Sequence, residues 1–251
     1  MSLKLLRQAL NGKGPLPRMW HERPLKDRYD VVIIGGGAHG LACAYYLAKF
    51  HNITDVAVLE KKYIGHGGSG RNTTIIRSNY LTPEGVRFYD QSVKLYQDMS
   101  DDLDFNVLFS QRGHLTLAHT DASLRTMRRR AQVNQIEGVD SRVVYPDELR
   151  RLCPQLDLTG RPRYPVLGAL YHPPGGIIRH DAVVWGYAHQ ADQCGVHLHQ
   201  NTEVTGIRVE QGAVTGVETS RRLSDRVTQG PVEASPSGWR IRPSVVLAST
   251  V

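Results

Sequence analysis

The pattern of apolar positions along the chain changes abruptly at Asp30. Val31-Val32-Ile33-Ile34 is a continuous apolar run, as expected of a strand covered on both faces of a parallel sheet. A glycine turn follows, then a helix from about Gly40 to Phe50 with the small residues Ala42, Cys43 and Ala44. A second apolar strand, Val56-Ala57-Val58-Leu59, ends at Glu60. These pieces make one βαβ unit of about thirty residues. Further on, Val86, Tyr89, Val93, Tyr96 and Met99 recur at helical spacing and predict a helix over 83–99. Gly113 to Ala118 alternates as a strand does, 121–135 reads as a polar helix and 146–153 as a short one. Asp181 is placed to cap a helix through Ala182, Val183, Trp185 and Ala188, which Gly195 stops. Strands follow at about 203–209 and 214–219, turned at Gln211-Gly212, and no internal repeat is visible.

Both flanks look different. Residues 1–29 are basic, contain Pro15, Pro17 and Pro24, and read as an irregular arm anchored by Trp20 in the word Pro17-Arg18-Met19-Trp20. From Arg221 onward the chain is rich in Arg, Ser and Pro and lacks periodicity; only Val245-Val246-Leu247-Ala248 resembles a buried strand there.

Composition narrows the function classes. The 40% hydrophobic and 22% charged fractions are those of an ordinary globular protein. No apolar run reaches the length of a membrane span. The N-terminus lacks the apolar core of a secretory signal, since Leu5 and Leu6 sit among Lys4, Arg7 and Lys13. Cys43, Cys153 and Cys194 are odd in number and show no metal-type spacing, which points to reduced thiols in a cytoplasm and to no metal site. The net charge of +7 comes partly from Arg125, Arg128, Arg129 and Arg130, read as a solvated helix face. Basic residues are not interleaved with aromatics in the manner of a nucleic-acid reader. Docking to an acidic protein partner stays open.

The turn after the first strand, Gly35-Gly36-Gly37-Ala38-His39-Gly40, is G-x-G-x-x-G. Alone that pattern is weak. Here it follows a strand, opens a helix, and is followed about twenty residues later by an acid at the end of the next strand. Gly35 permits the tight turn, Gly37 lets the backbone approach a pyrophosphate, and Gly40 lets the helix pack on the sheet. The helix N-terminus offers N–H groups to the phosphates, and Glu60 would accept from the ribose hydroxyls. FAD and NAD share this geometry. The loop Gly65-His66-Gly67-Gly68-Ser69-Gly70, leading into Arg71-Asn72-Thr73-Thr74, favours FAD, whose longer phosphate arm needs added donors; its N–H groups and Arg71 would form an anion nest. The alternative is a surface loop with a solvated arginine. The fold class read from these residues is α/β, a Rossmann-type FAD-binding domain with a parallel sheet; part of an α+β substrate domain is implied in addition by a family resemblance carried by further words of the sequence. The expected organisation is the arm over 1–29, the FAD-binding domain with a partial substrate-domain insertion over 30–220, and a divergent, disordered tail over 221–251.

Several words resemble the beta subunits of heterotetrameric sarcosine oxidases, within the wider D-amino-acid-oxidase-like group of flavoproteins. They are Tyr29-Asp30-Val31-Val32-Ile33-Ile34-Gly35-Gly36-Gly37, Gly70-Arg71-Asn72-Thr73-Thr74-Ile75-Ile76-Arg77-Ser78-Asn79-Tyr80 and Phe109-Ser110-Gln111-Arg112-Gly113. The most specific is Gly175-Gly176-Ile177-Ile178-Arg179-His180-Asp181-Ala182-Val183-Val184-Trp185-Gly186. The resemblance spans roughly Pro17 to Ser220. It implies non-covalent FAD on the Rossmann unit, oxidation of the N-methyl amine of sarcosine, and covalent FMN on a histidine at the interface with a larger alpha subunit. Electrons would pass from FAD to FMN and then to oxygen, with the one-carbon unit captured by folate on the alpha subunit. The FMN-bearing histidine falls on His180; read without the resemblance, His180 is an ordinary loop histidine, and His172 and His189 are not selected by the family word. Arg77 and Tyr80 would sit close to the flavin ring, the competing view being that Arg77 only bridges two domains. Gly70, Arg71, Asn72 and Thr73 would hold the cofactor. Val204 would offer its backbone to the adenine, or be a plain core valine.

Members of that family run well beyond this length, and the agreement fades near Ser220. The expectation is a truncated or frame-shifted product, or a fragment, in which 221–251 has no counterpart and sarcosine turnover by the chain alone is small or absent. Two further readings stand beside the first. One is a different FAD-dependent amine or amino-acid oxidase without covalent FMN. The other is a non-catalytic flavin-binding remnant that docks a partner.

Overall fold

The computed structural model describes residues 10, 18–221 and 239–248. In chain order the elements are β1 (Arg28–Ile34), α1 (Ala38–His51), β2 (Val56–Leu59), a 3₁₀ turn (Gly68–Arg71), β3 (Ile75–Ile76), α2 (Pro83–Asp102), β4 (His114–Ala118) and α3 (Asp121–Ile136). They continue with β5 (Arg142–Val144), α4 (Pro146–Leu152), β6 (Gly168–His172), β7 (Gly176–Ile177), α5 (His180–Gln193), β8 (His197–His199), β9 (Thr202–Glu210), β10 (Ala213–Arg221) and β11 (Trp239–Ala248). The chain divides into two units, one made of 1–66 with 187–251 and the other of 67–186.

The first unit is a six-stranded sheet in the order β8-β2-β1-β11-β10-β9. The expected parallel sheet is present as β8-β2-β1-β11, with an antiparallel hairpin, β10-β9, added at one edge. All four residues of β2 are buried, and Val31, Val32 and Ile33 of β1 are at most 6% exposed, which explains the unbroken apolar runs. Tyr29, Val32, Ala57, Leu59 and Val217 form the core cluster, with Leu25, Ile34 and Val204 packed against it. Helix α1 buries Gly40, Ala44 and Ala48 together with Leu41 and Tyr45. The small residues recur every fourth position and bring the helix close to its sheet. Asn52, at φ 55°, closes α1 in the left-handed region.

Two expectations about the flanks are corrected. Within the tail, Trp239–Ala248 is an ordered ten-residue strand, not a disordered segment. Trp239 to Ile241 pairs antiparallel with β10, and Arg242 to Ala248 pairs parallel with β1. Pro243 lies past the end of the β10 register, so its missing N–H costs no bond on that side. In the arm, Pro17 lies outside the described residues, Arg28 and Tyr29 already belong to β1, and Trp20 is only half-buried. The anchor is instead the buried carboxylate of Asp192. It accepts from the backbone N–H of His21 (3.2 Å) and pairs with Arg23 (3.1 Å) and the His21 ring (2.6 Å). Arg23 also donates to the Val196 carbonyl at 2.7 Å, and His189 Nδ1 donates to the Met19 carbonyl at 2.7 Å.

The second unit is α+β. Strands β4-β6-β5 form an antiparallel sheet, and β3 pairs with β7. Leu124, Met127 and Ala131 of α3 pack on Ala118 and Leu170 of the sheet. Thr120 caps α3 in a box with Ser123, and Thr82 caps α2 by accepting from Gly85 N. Among the described residues, no helix is long and apolar enough to cross a membrane.

Candidate functional site

In the first unit the glycine turn joins β1 to α1. Gly35 stands at φ 111°, in the region glycine favours, and its N–H donates to the Leu59 carbonyl at 2.8 Å. At Gly40 an added Cβ would lie 2.1 Å from the Gly35 carbonyl oxygen and 3.3 Å from Ile33 Cγ2, so helix and turn can meet only through glycine. Gly37 is the N-cap of α1, in extended backbone and without a side-chain cap. The helix therefore presents its first N–H groups and its positive dipole end at the turn, an arrangement that suits a phosphate.

Glu60 closes this constellation. It is 9% exposed. Its Oε2 accepts from Gly36 N–H and its Oε1 from Lys62 N–H, both at 2.9 Å. Its backbone is fixed as well, with N–H donating to His199 and C=O accepting from Thr202 N–H. Each carboxylate oxygen keeps lone pairs for a further donor such as a ribose hydroxyl. The sequence reading singled out the first, third and last glycines of the motif and passed over Gly36. Yet Gly36 orients the acid, and a Cβ there would lie 2.9 Å from Glu60 Cβ. Gly65 N–H donates to Gly36 O at 2.9 Å, which ties the start of the glycine-rich loop to the turn. Val204 lies in β9 opposite Thr219 and is partly buried against the core cluster.

The remaining candidates lie in the second unit. Gly70 and Arg71 belong to the 3₁₀ turn. Asn72 braces that turn, its Nδ2 donating to Ser69 O and its Oδ1 accepting from Thr74 N–H, both at 2.7 Å; Arg71, Asn72 and Thr73 are exposed. Arg77 stacks its guanidinium 4.6 Å over the Tyr80 ring and donates to Asn79 Oδ1 at 2.9 Å. Tyr80 in turn stacks on Tyr89 at 3.9 Å. Burial pushes the Tyr80 phenol up, Arg77 opposes this, and Tyr89 adds to it.

The three histidines raised by the sequence separate clearly. His172 is fully buried. Its Nε2 accepts from Ser78 N–H at 3.1 Å, so Nδ1 carries the proton and donates to the Asp140 carbonyl at 2.9 Å. Burial first, partly opposed by Asp140, holds its pKa below the ordinary value; it is a neutral structural hub. His189 Nδ1 is occupied by the Met19 carbonyl. His180 is half-buried, and its Nδ1 has no partner among the described residues. It opens α5, so Asp181 lies in the first turn and is not the N-cap. The Asp181 carboxylate accepts from Ala182 N–H and from Arg179, which holds its pKa down despite partial burial.

A βαβ unit with this glycine turn, a buried backbone-held acid just past the second strand and an uncapped helix start defines a Rossmann-type dinucleotide-binding protein. The chain belongs to the FAD dependent oxidoreductase family, which it matches over residues 30–248. That family match runs past Ser220 and through β11. The chain is 48% identical over 219 residues to sarcosine oxidase subunit beta of Rhodobacter capsulatus, covering 87% of the chain and 53% of the relative. It is 50% identical over 220 residues to sarcosine oxidase subunit beta of Rhizobium meliloti, covering 88% and 53%. Among solved structures, L-proline dehydrogenase from P. horikoshii superposes with a TM-score of 0.76 at 28% identity, over 90% of this chain and 54% of that one. The chain thus spans about half the length of these relatives.

Proposed function

We propose that this chain is the FAD-binding part of a flavoprotein subunit that oxidises a secondary N-methyl amine of the sarcosine type. The observation that carries the reading is identity near one half, over nearly the whole chain, to two proteins named sarcosine oxidase subunit beta. The dinucleotide turn is also intact in every residue its geometry requires. The chemistry the flavins supply when bound is acceptance of two electrons from the amine at FAD and their delivery through FMN to oxygen.

The chain's own residues divide the work. The α1 N-terminus at Gly37 would hold the pyrophosphate, and Glu60 the ribose. Gly70, Arg71, Asn72 and Thr73 would add donors to the cofactor, with the Val204 backbone at the adenine. Arg77 and Tyr80 would face the flavin ring, where a cation stabilises negative charge on the reduced form. His180 would carry a covalently attached FMN, and a larger alpha-type subunit would complete the assembly. Support for His180 over its neighbours is its half-buried ring with Nδ1 unpartnered, against the satisfied His172 and the tethered His189.

The test is co-expression with an alpha-type partner followed by acid denaturation. One flavin should stay attached and map to the peptide containing Arg179-His180-Asp181, and His180→Ala should abolish it while leaving releasable FAD. Acid-stable flavin surviving His180→Ala would refute the residue. Absence of acid-stable flavin in the unaltered chain would favour an FAD-only amine oxidase.

A further inference from the structure

Past Leu59 the chain leaves β2 and runs as irregular backbone through Gly65, where each N–H must find a partner outside a strand ladder. Parallel pairing of β2 with β8 stops at Leu59 and His199, but the bonds between the two segments do not. Glu60 N–H donates to the His199 carbonyl and Thr202 N–H to the Glu60 carbonyl, both at 2.9 Å. Asn201 N–H donates to the Lys62 carbonyl at 2.8 Å. The Gln200 side chain reaches further, its Oε1 accepting from Ile64 N–H at 2.9 Å. The turn presents these groups because Asn201 sits at φ 54°, in the left-handed region that asparagine tolerates. Thr202 closes it, donating from Oγ1 to the Gln200 carbonyl at 3.2 Å.

These bonds converge on the Glu60 carboxylate. Lys62 is held from both sides, its carbonyl by Asn201 and its N–H by Glu60 Oε1. Two residues on, Gln200 fixes Ile64, and Gly65 N–H then donates to the Gly36 carbonyl. Gly36 N–H in turn donates to Glu60 Oε2. A closed circuit thus runs from Glu60 through Lys62, Ile64, Gly65 and Gly36 back to Glu60, all within the first unit. Ile64 is buried, so loss of the Gln200 oxygen would leave an enclosed donor. The segment 62–65 must then shift to satisfy it, and both bonds that orient the carboxylate shift with it.

We infer that Gln200 is a positioning residue of the dinucleotide site, setting the segment 62–65 so that the Glu60 carboxylate is presented to the ribose. The inference rests on the reading that Glu60 accepts from the ribose hydroxyls, and it adds to that reading a residue far outside the βαβ unit. A glutamine that served the fold alone would affect every ligand of the site alike. A glutamine that acts through Glu60 changes affinity for ligands that bear the ribose hydroxyls and spares those that lack them.

The test is a titration of the 251-residue chain with ADP, which carries the adenosine ribose and a diphosphate, and with 2′,3′-dideoxyadenosine 5′-diphosphate, which lacks both hydroxyls. Gln200→Met, close in length but without the acceptor, should weaken ADP binding by about five-fold or more. The same change should leave the dideoxy ligand within about two-fold of its original affinity. Gln200→Glu keeps an acceptor and should recover most of the ADP affinity. Gln193→Met, exposed at the end of α5, should change nothing. Equal weakening for both ligands, or unchanged ADP affinity in folded Gln200→Met, would overturn the inference and leave the dinucleotide site standing. An unaltered chain that binds ADP no better than the dideoxy ligand would overturn the reading of Glu60 and the inference with it. Should Gln200→Met fail to fold, hydrogen exchange in the unaltered chain decides. Saturation with ADP should slow the Ile64 amide more than saturation with the dideoxy ligand does, and equal protection would refute the inference.

Discussion

Gly36→Ala is the substitution that reads the dinucleotide site most finely. The new Cβ would stand 2.9 Å from Glu60 Cβ and 3.3 Å from its Cγ, nearer than carbon atoms pack. Glu60 cannot simply step back, because its own N–H and C=O are bonded to His199 and Thr202. The side chain must rotate instead, which breaks the 2.9 Å bond from Gly36 N–H to Oε2. A hydrogen bond to a charged group is worth about 1.5–3 kcal/mol, and overpacking a tight contact costs about 1–3 kcal/mol. If Glu60 is held for the ribose as proposed, most of the first quantity should appear as lost affinity. FAD binding should therefore weaken by roughly ten- to a hundred-fold, while the loss of fold stability stays within about 3 kcal/mol. Titration of the apoprotein with FAD, followed by quenching of flavin fluorescence, measures the first; thermal unfolding measures the second. A folded Gly36→Ala protein with unchanged FAD affinity would show that Glu60, as oriented here, does not face the cofactor.

Other consequences follow from the buried polar groups. Asp192→Ala removes a fully enclosed carboxylate from Arg23, so the first unit should lose about 2–4 kcal/mol. The exposed His21 contact adds little, and a loss below about 1 kcal/mol in denaturant unfolding would contradict the anchoring role. Burial lowers the pKa of His172, His114 and His197 below the ordinary imidazole value of 6.5. The folded state therefore binds fewer protons than the unfolded chain in the window beneath that value. Stability is fully present above it and falls as the pH drops, by at most about 1.4 kcal/mol per pH unit for each group. His172→Gln should flatten that slope in chemical denaturation at stepped pH, and an unaltered slope would refute the assignment.

The local parts of this fold were legible and the non-local parts were not. The βαβ unit could be read because strand, glycine turn, helix and terminal acid follow one another within one short stretch. Strands β3, β5, β6, β7 and β8 run two to five residues, too short for alternation to show, and their partners are distant in sequence. β11 was half-seen. Val245 to Ala248 reads as a strand, but Trp239 to Pro243 acquires its conformation only from β10 and the start of β1. Arg130 was grouped with the solvated arginines of α3, although Leu124, Met127, Ala131 and Asn134 mark the buried face and place position 130 beside it. Gly36 was hidden as the unspecified position of its motif. No periodicity signals Asp192, whose meaning depends on an arm some 170 residues earlier in the chain.

The central claim, that this chain carries an FAD site of the oxidoreductase type, is tested most directly by the visible spectrum of the purified protein before and after acid precipitation. The account predicts a bound-flavin spectrum, with the coenzyme released by acid identified as FAD. Protein that purifies without flavin and fails to take up added FAD, or that binds NAD in its place, would contradict it.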